Sequence, residues 1–194
     1  IKLNVFDQIF INDEITIGSN SNATISFLDN SILTLNNESS FVIKDFDNVS
    51  QNPKFIILIN KGSFSFESGT IAKNKDGIMK INLSEMEVGL NGTLISGSNT
   101  DEEQRVSLVE DSMGKVGTLN ITIGDKTTTI TDPSKGITLS GDNTIEETIL
   151  SNEETNQIKD FIKKATVDAQ TETEEDINRA VAKQLAAGTI PDAN

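Results

Sequence analysis

The chain has 194 residues, 16 basic and 30 acidic, a net charge of -14, and no Cys, His, Trp or Tyr. Without Cys or His there is no disulfide scaffold, zinc finger, iron–sulfur ligand set, thiol nucleophile or Ser-His-Asp triad. The charge opposes binding to nucleic acid or an anionic membrane, because the phosphate contribution would be repulsive.

Residues 1 to about 140 read as many short strands. Thr24-Ile25-Ser26-Phe27, Ile32-Leu33-Thr34-Leu35, Ser63-Phe64-Ser65-Phe66 and Met79-Lys80-Ile81-Asn82-Leu83 alternate polar with apolar. Phe55-Ile56-Ile57-Leu58-Ile59 is a continuous apolar run, which predicts a strand buried on both faces. Further strands are predicted at Arg105–Val109, Thr118–Ile123 and Thr127–Ile130. Turn signals separate them: Asn12-Asp13, Gly18–Asn22, Asp29-Asn30, Asn36-Asn37, Lys61-Gly62, Lys75-Asp76-Gly77 and Gly124-Asp125. Corners rich in Asn, Ser, Thr and Gly suit tight turns, through side-chain-to-backbone bonds or tolerance of positive φ. The pattern predicts an all-β fold, a β-solenoid-like or sandwich-like stack of short strands. Periodicity alone does not separate the two.

The character changes near residue 145. Ser151-Asn152-Glu153-Glu154 has capping-box spacing. Ile158, Phe161, Ile162 and Ala165 then recur at i, i+3, i+4, i+7 and predict an amphipathic helix. A second helical segment is predicted from about Thr171, with Ile177, Val181 and Leu185 as its stripe and Gly188 and Pro191 as its stop. Residues 146–194 carry 11 acids and 5 bases, a net of -6. The organisation expected is a β-domain over 1–145 and a short, acidic α-helical C-terminal extension over 146–194. The helices either pack on the β-unit or present Ile158, Phe161 and Ile162 to another subunit. No apolar run reaches the roughly 20 residues of a membrane span. The chain opens Ile1-Lys2-Leu3 without an initiator Met or a signal-peptide pattern, as expected of a processed or excised form.

Several pieces of the β-run, in order, resemble the FecR domain family. Asp13-Glu14-Ile15-Thr16-Ile17-Gly18-Ser19-Asn20-Ser21-Asn22-Ala23 is similar to its D-x-I-x-T-G-x-x-S-x-A segment. Phe27–Leu35 is similar to F-x-D-G-S-x-L-x-L, and Asn37–Ile43 follows it. Ile57–Phe64 resembles L-x-x-G-x-F/V, and Ser68-Gly69-Thr70-Ile71-Ala72-Lys73 resembles the next piece. Val88-Gly89-Leu90-Asn91-Gly92-Thr93 resembles I-G-I-R-G-T, with Asn91 in place of the Arg. Asn30 stands where the family prefers Gly, and Asn also tolerates the left-handed region. Gly62 and Gly89 are expected at close backbone approaches or bulges.

The resemblance implies a non-catalytic, extracytoplasmic protein-interaction module of the bacterial cell envelope, with no cofactor. Its partner would be another envelope protein or copies of itself. One alternative is a self-assembling surface or filament subunit; another is a periplasmic regulator of iron-uptake-type signalling. The candidate contact residues are Asn91, Gly92 and Thr93 on the β-unit and Ile158, Phe161 and Ile162 on the helix.

Other motifs have simpler readings. Asp45-Phe46-Asp47-Asn48 begins like a calcium loop, but Ser50 and Ile56 occupy the positions that need Gly and Glu, so a solvated turn is expected. Glu85 and Glu87 are spaced for a carboxylate pair, yet there is no Trp or Tyr to seat a sugar. Gly114-Lys115-Val116-Gly117 lacks Walker or dinucleotide spacing. The acidic pairs Asp101–Glu103 and Glu110-Asp111 are expected to keep strand ends soluble.

Overall fold

The computed structural model of the chain describes residues 3–4, 7–111 and 114–171, with side chains described as far as 163. The described residues form thirteen strands followed by a helix. The strands are β1 (Glu14–Thr16), β2 (Ala23–Ser26), β3 (Ile32–Leu35), β4 (Ser40–Asp47), β5 (Lys54–Glu67), β6 (Ile78–Asn82) and β7 (Met86–Asn91). They continue as β8 (Leu94–Asn99), β9 (Glu103–Val109), β10 (Thr118–Ile123), β11 (Lys126–Ile130), β12 (Lys135–Ser140) and β13 (Ile145–Ile149). The helix is α1 (Asn152–Thr171).

All thirteen strands belong to one hydrogen-bonded sheet, and β5 is its spine. Residues 54–58 of β5 lie between β4 and β6, and β4 continues along β5 to Lys61, in a half ordered β1-β4-β5-β6-β7-β10-β11. Residues 62–67 pair with β8, and residues 64–67 also with β3, in a half ordered β2-β3-β5-β8-β9-β12-β13. The chain passes from one half to the other at Gly62, whose φ is +98° and whose Cβ, if present, would run into the Ser39 side chain. Lys61-Gly62, which as a sequence looks like a turn between two strands, is therefore a bend inside one strand.

The sheet curls on itself, so the inner faces of both halves meet in a single core. Leu33, Leu35, Phe66, Ile95, Val106 and Leu108 come from the second half, and Phe41, Phe55, Ile57, Ile59, Ile81, Val88 and Leu119 from the first. Four phenylalanines mark the junction. Phe55 packs edge-on against Phe27 at 4.6 Å, Phe46 at 4.9 Å and Phe66 at 5.9 Å between ring centroids. Each such pair contributes about 0.5–1.5 kcal/mol beyond area burial.

The all-β expectation holds; the pairing departs from a stack of solenoid coils. Strand pairs are antiparallel except β5 with β6. The reason is local. Tight polar corners turn the chain straight back, as at Gly124-Asp125 (Gly124 φ +56°) between β10 and β11, and successive strands become hairpins. The apolar run 55–59 also differs from expectation. Phe55, Ile57 and Ile59 are buried, whereas Ile56 and Leu58 are only half-buried on the outer face.

α1 starts with the predicted capping box. The Ser151 N–H and hydroxyl both donate to Glu154 Oε2 at 2.8 Å, and the Glu154 N–H donates to Ser151 Oγ at 3.2 Å. Those bonds, first the backbone one and then the hydroxyl, lower the Glu154 carboxyl below its usual range, with Arg105 adding to the shift. The second predicted helix, with Ile177, Val181 and Leu185, lies outside the described residues.

Candidate interaction surface

The pieces that carry the resemblance are spent on corners. Asp29 and Ser31 are buried in the β2–β3 turn, with Asn30 between them at φ +66°. Ser31 N–H donates to Asp29 Oδ1 at 3.0 Å, and Ser31 Oγ donates to Oδ2 at 2.8 Å. The same hydroxyl accepts the Gly69 N–H at 2.8 Å, and the Thr70 N–H donates to the Asp29 carbonyl at 2.7 Å. A Cβ on Gly69 would strike the Asp29 carbonyl. The F-x-D-x-S and S-G-x-I pieces, 38 residues apart at Ser31 and Gly69, are thus one buried polar clasp.

Asn91-Gly92-Thr93 is a second corner, where the chain crosses from β7 in the first half to β8 in the second. Gly92 has φ +64°. Thr93 is buried; its N–H donates to Ser68 Oγ at 2.7 Å, and its carbonyl accepts the Ser68 N–H at 2.9 Å. The return crossing from β9 to β10 passes so near that a Cβ on Gly117 would meet the Asn91 and Gly92 carbonyls. Asn91 is exposed and pairs with Thr118 on β10. Gly89 has ordinary space around it, so no close approach requires glycine there.

At the other end of the second half, Asn99 holds the bend of β5. Its Nδ2 donates to the carbonyls of Ile59 (2.8 Å) and Asn60 (3.0 Å). Gln104 Oε1 accepts the Glu85 N–H at 2.9 Å.

α1 lies on the outer face of the second half. Ile162 is buried against Leu94, Val109 and Leu150, with Ile158 beside them. Ion pairs flank this contact: Lys159 Nζ to Glu110 Oε2 at 2.7 Å and Arg105 to Glu154 at 3.8 Å. Next to it runs a row of small residues in register, Thr34, Ser65, Ser96, Ser107 and Gly136. Small side chains there let the helix approach the sheet. An open groove of about 310 Å³ remains between them, floored by Ser63, Ser65, Ser96 and Ser98 and walled by Ile158 and Phe161. The structure therefore places Ile158 and Ile162 in an intramolecular contact and leaves Phe161 half-buried at the groove.

Two of the remaining acidic motifs have local partners. Asp47 accepts the N–H groups of Val49 and Ser50, both at 3.0 Å, and hydrogen bonding to Ser50 first of all holds its carboxyl below the usual range. Glu87 pairs with Lys80 at 2.7 Å. Burial pushes the Glu67 carboxyl up from 4.5, with nearby Asp111 adding to the shift and Lys73 opposing it. Among the described residues no group of three or more Asp or Glu side chains is placed to hold a metal ion, and no helix is long and apolar enough to cross a membrane.

Sequence reasoning missed β13, because Ile145-Glu146-Glu147-Thr148-Ile149 looks like the start of the acidic tail. The available signal was the pair of β-branched isoleucines and the threonine that bracket the two glutamates, following the Asp142-Asn143 turn.

Two crystal structures of a "putative anti-sigma factor" from Parabacteroides distasonis ATCC 8503, at 1.65 and 2.50 Å resolution, share the fold. Their TM-scores are 0.60 and 0.61 at 13% identity, covering 74% and 75% of this chain. The chain spans 63% of the length of those chains. No curated protein matches it. The sequence profile of the family described as FecR protein matches residues 13–117, more than half of the chain. Its boundaries take in both the Asp29–Gly69 clasp and the Asn91–Thr93 corner, and the chain belongs to the FecR family.

Proposed function

We propose that this chain is a non-catalytic protein-interaction module of the bacterial envelope, acting on the extracytoplasmic side in a regulatory role of the anti-sigma type. The observation that carries the reading is the use of the family's residues. Asp29, Ser31, Gly69, Gly92 and Thr93 are committed to backbone corners, which leaves sheet edges, the exposed Asn91 corner and the groove beside Phe161 as contact surface. In its finer form the module takes a signal from an outer-membrane transporter, and the contacts include Asn91 and Phe161. The reading requires no cofactor.

The test is an in-frame deletion of residues 14–163 from the chromosomal copy, followed by transcript profiling. Altered expression of a gene set encoding envelope proteins is expected. An unchanged profile would refute the regulatory role.

Self-association is a second reading, favoured by β11, whose Lys-Thr-Thr-Thr-Ile sequence ends the first half of the sheet with no further strand beside it among the described residues. Light scattering over a concentration series tests it, and a strict monomer at high concentration counts against it.

A further inference from the structure

β13 ends the second half of the sheet, and its free side is determined by its bonded side. Ser140 N–H donates to the Thr144 carbonyl at one end of the β12–β13 hairpin, and Leu150 N–H donates to the Ser134 carbonyl at the other. In an antiparallel pair every second residue bonds its neighbour through both backbone groups. Residues 144, 146, 148 and 150 therefore face β12. Ile145, Glu147 and Ile149 direct their N–H and C=O groups to the open edge.

The side chains of those three residues share a face with Leu139, Ile137 and Lys135, their partners on β12. Leu139 and Ile137 are buried in the core, but Ile145 is 43% exposed and Ile149 is 69% exposed. Ile145 borders Ile121 and Ile123 of the first half while remaining part-exposed, Ile149 faces water, and among the described residues no strand pairs with this edge. Open edges are usually blunted by charged side chains, lysine above all, by proline, by bulges or by inward-pointing charges. β13 has no lysine, proline or bulge; its charges are Glu146 on the outer face and Glu147 on the core-side face, which repel an acidic strand and not a basic one.

Charge decides the occupant. Two β13 strands pairing antiparallel at full overlap would set Glu147 against Glu147. A register shifted toward the start of the strand would set Glu146 against Glu146. Like charges directly opposite are destabilising. Glu147 is already paired with Lys135 at 3.1 Å, whereas Glu146 lies exposed on the outer face with no ion pair among the described residues. We propose that β13 is a strand-addition site for an extended, basic segment of another protein, in which β-branched apolar residues alternate with Lys or Arg. The incoming backbone bonds Ile145, Glu147 and Ile149, its apolar side chains extend the Ile145–Ile149 face, and its bases lie on the opposite, outer face beside Glu146. The net charge of -14 steers such a segment in. This deepens the interaction-module reading and rests on it.

The test uses the isotope-labelled full chain and two acetylated decapeptides, one alternating lysine with valine, the other glutamate with valine. The lysine peptide is expected to slow amide exchange at Ile145, Glu147 and Ile149 by about tenfold or more, and the glutamate peptide to leave it unchanged. Glu147→Pro deletes a free N–H without removing a bond to β12, so the fold is kept and the lysine peptide no longer protects the edge. Glu146→Lys/Glu147→Lys should exchange the two preferences, and it carries the test if the proline variant fails to fold. Equal binding of both peptides, protection outside β13, full binding by a folded Glu147→Pro, or a dimer that Glu147→Pro abolishes would each overturn the proposal. A strain that responds to the deletion while the purified chain ignores the lysine peptide refutes the edge alone; peptide binding without a transcript response refutes the regulatory role alone.

Discussion

Replacing Ser31 with alanine tests the claim that the family's most regular piece is a clasp. The Ser31 hydroxyl is fully buried, donates to Asp29 Oδ2 and accepts the Gly69 N–H, each at 2.8 Å. Ser31→Ala therefore strands a buried donor on Gly69 and removes one of the two bonds from Ser31 to the Asp29 carboxyl. A buried amide left without a partner costs about 1–3 kcal/mol, and the lost net bond about 1 kcal/mol more. The Ser31 N–H bond to Asp29 Oδ1 and the Thr70 bond to the Asp29 carbonyl persist, which keeps the turn in place and the expected total near 2–4 kcal/mol. Urea unfolding followed by circular dichroism reads this as a lower midpoint at unchanged slope, since the surface exposed on unfolding stays the same. Gly69→Ala should cost at least as much, because the new methyl group meets backbone rather than a movable side-chain end. A loss below about 0.5 kcal/mol for Ser31→Ala would refute the clasp, because that is the range of surface substitutions.

Phe55→Ala empties the junction of the two halves and should cost about 3–5 kcal/mol by the same assay. Ile162→Asp places a charge against Leu94, Val109 and Leu150; loss of the helical circular dichroism signal with the β signal retained is expected. Glu67→Gln addresses pH. The folded-state carboxyl is raised above its ordinary 4.5, so the protonated group favours the fold below that value and the benefit is lost as pH rises through the raised one. The glutamine variant should match the parent in acid and exceed it in stability near neutral pH, and the opposite trend in urea midpoints would contradict the assignment.

Local chemistry was legible in the sequence; the pairing of distant strands was not. Asn30 in the left-handed region, the Ser151–Glu154 capping box and the Gly124-Asp125 hairpin each follow from side-chain chemistry within a few residues. The apolar stripe Ile158–Ile162 was equally plain, but nothing in it names Leu94 and Val109, far away in the sequence, as what it covers. Pairings such as β7 with β10 and β9 with β12 depend on which edges the curled sheet brings together. Alternation within a strand carries no such information. Gly62 misled because a positive-φ glycine bends a continuous strand or ends it with the same residue type. β13 was obscured because the acidic residues that make it a distinctive edge also make it resemble a solvated tail.

Native-state amide exchange on the free protein tests the central claim most directly, namely that the family's residues build one cooperative sheet whose β13 edge is left open. The account predicts that β5 exchanges slowest across both of its segments. It also predicts that Glu146 and Thr148 are protected while Ile145, Glu147 and Ile149 exchange freely. Independent opening of the two sheet halves, or protection of all five β13 amides alike, would contradict it.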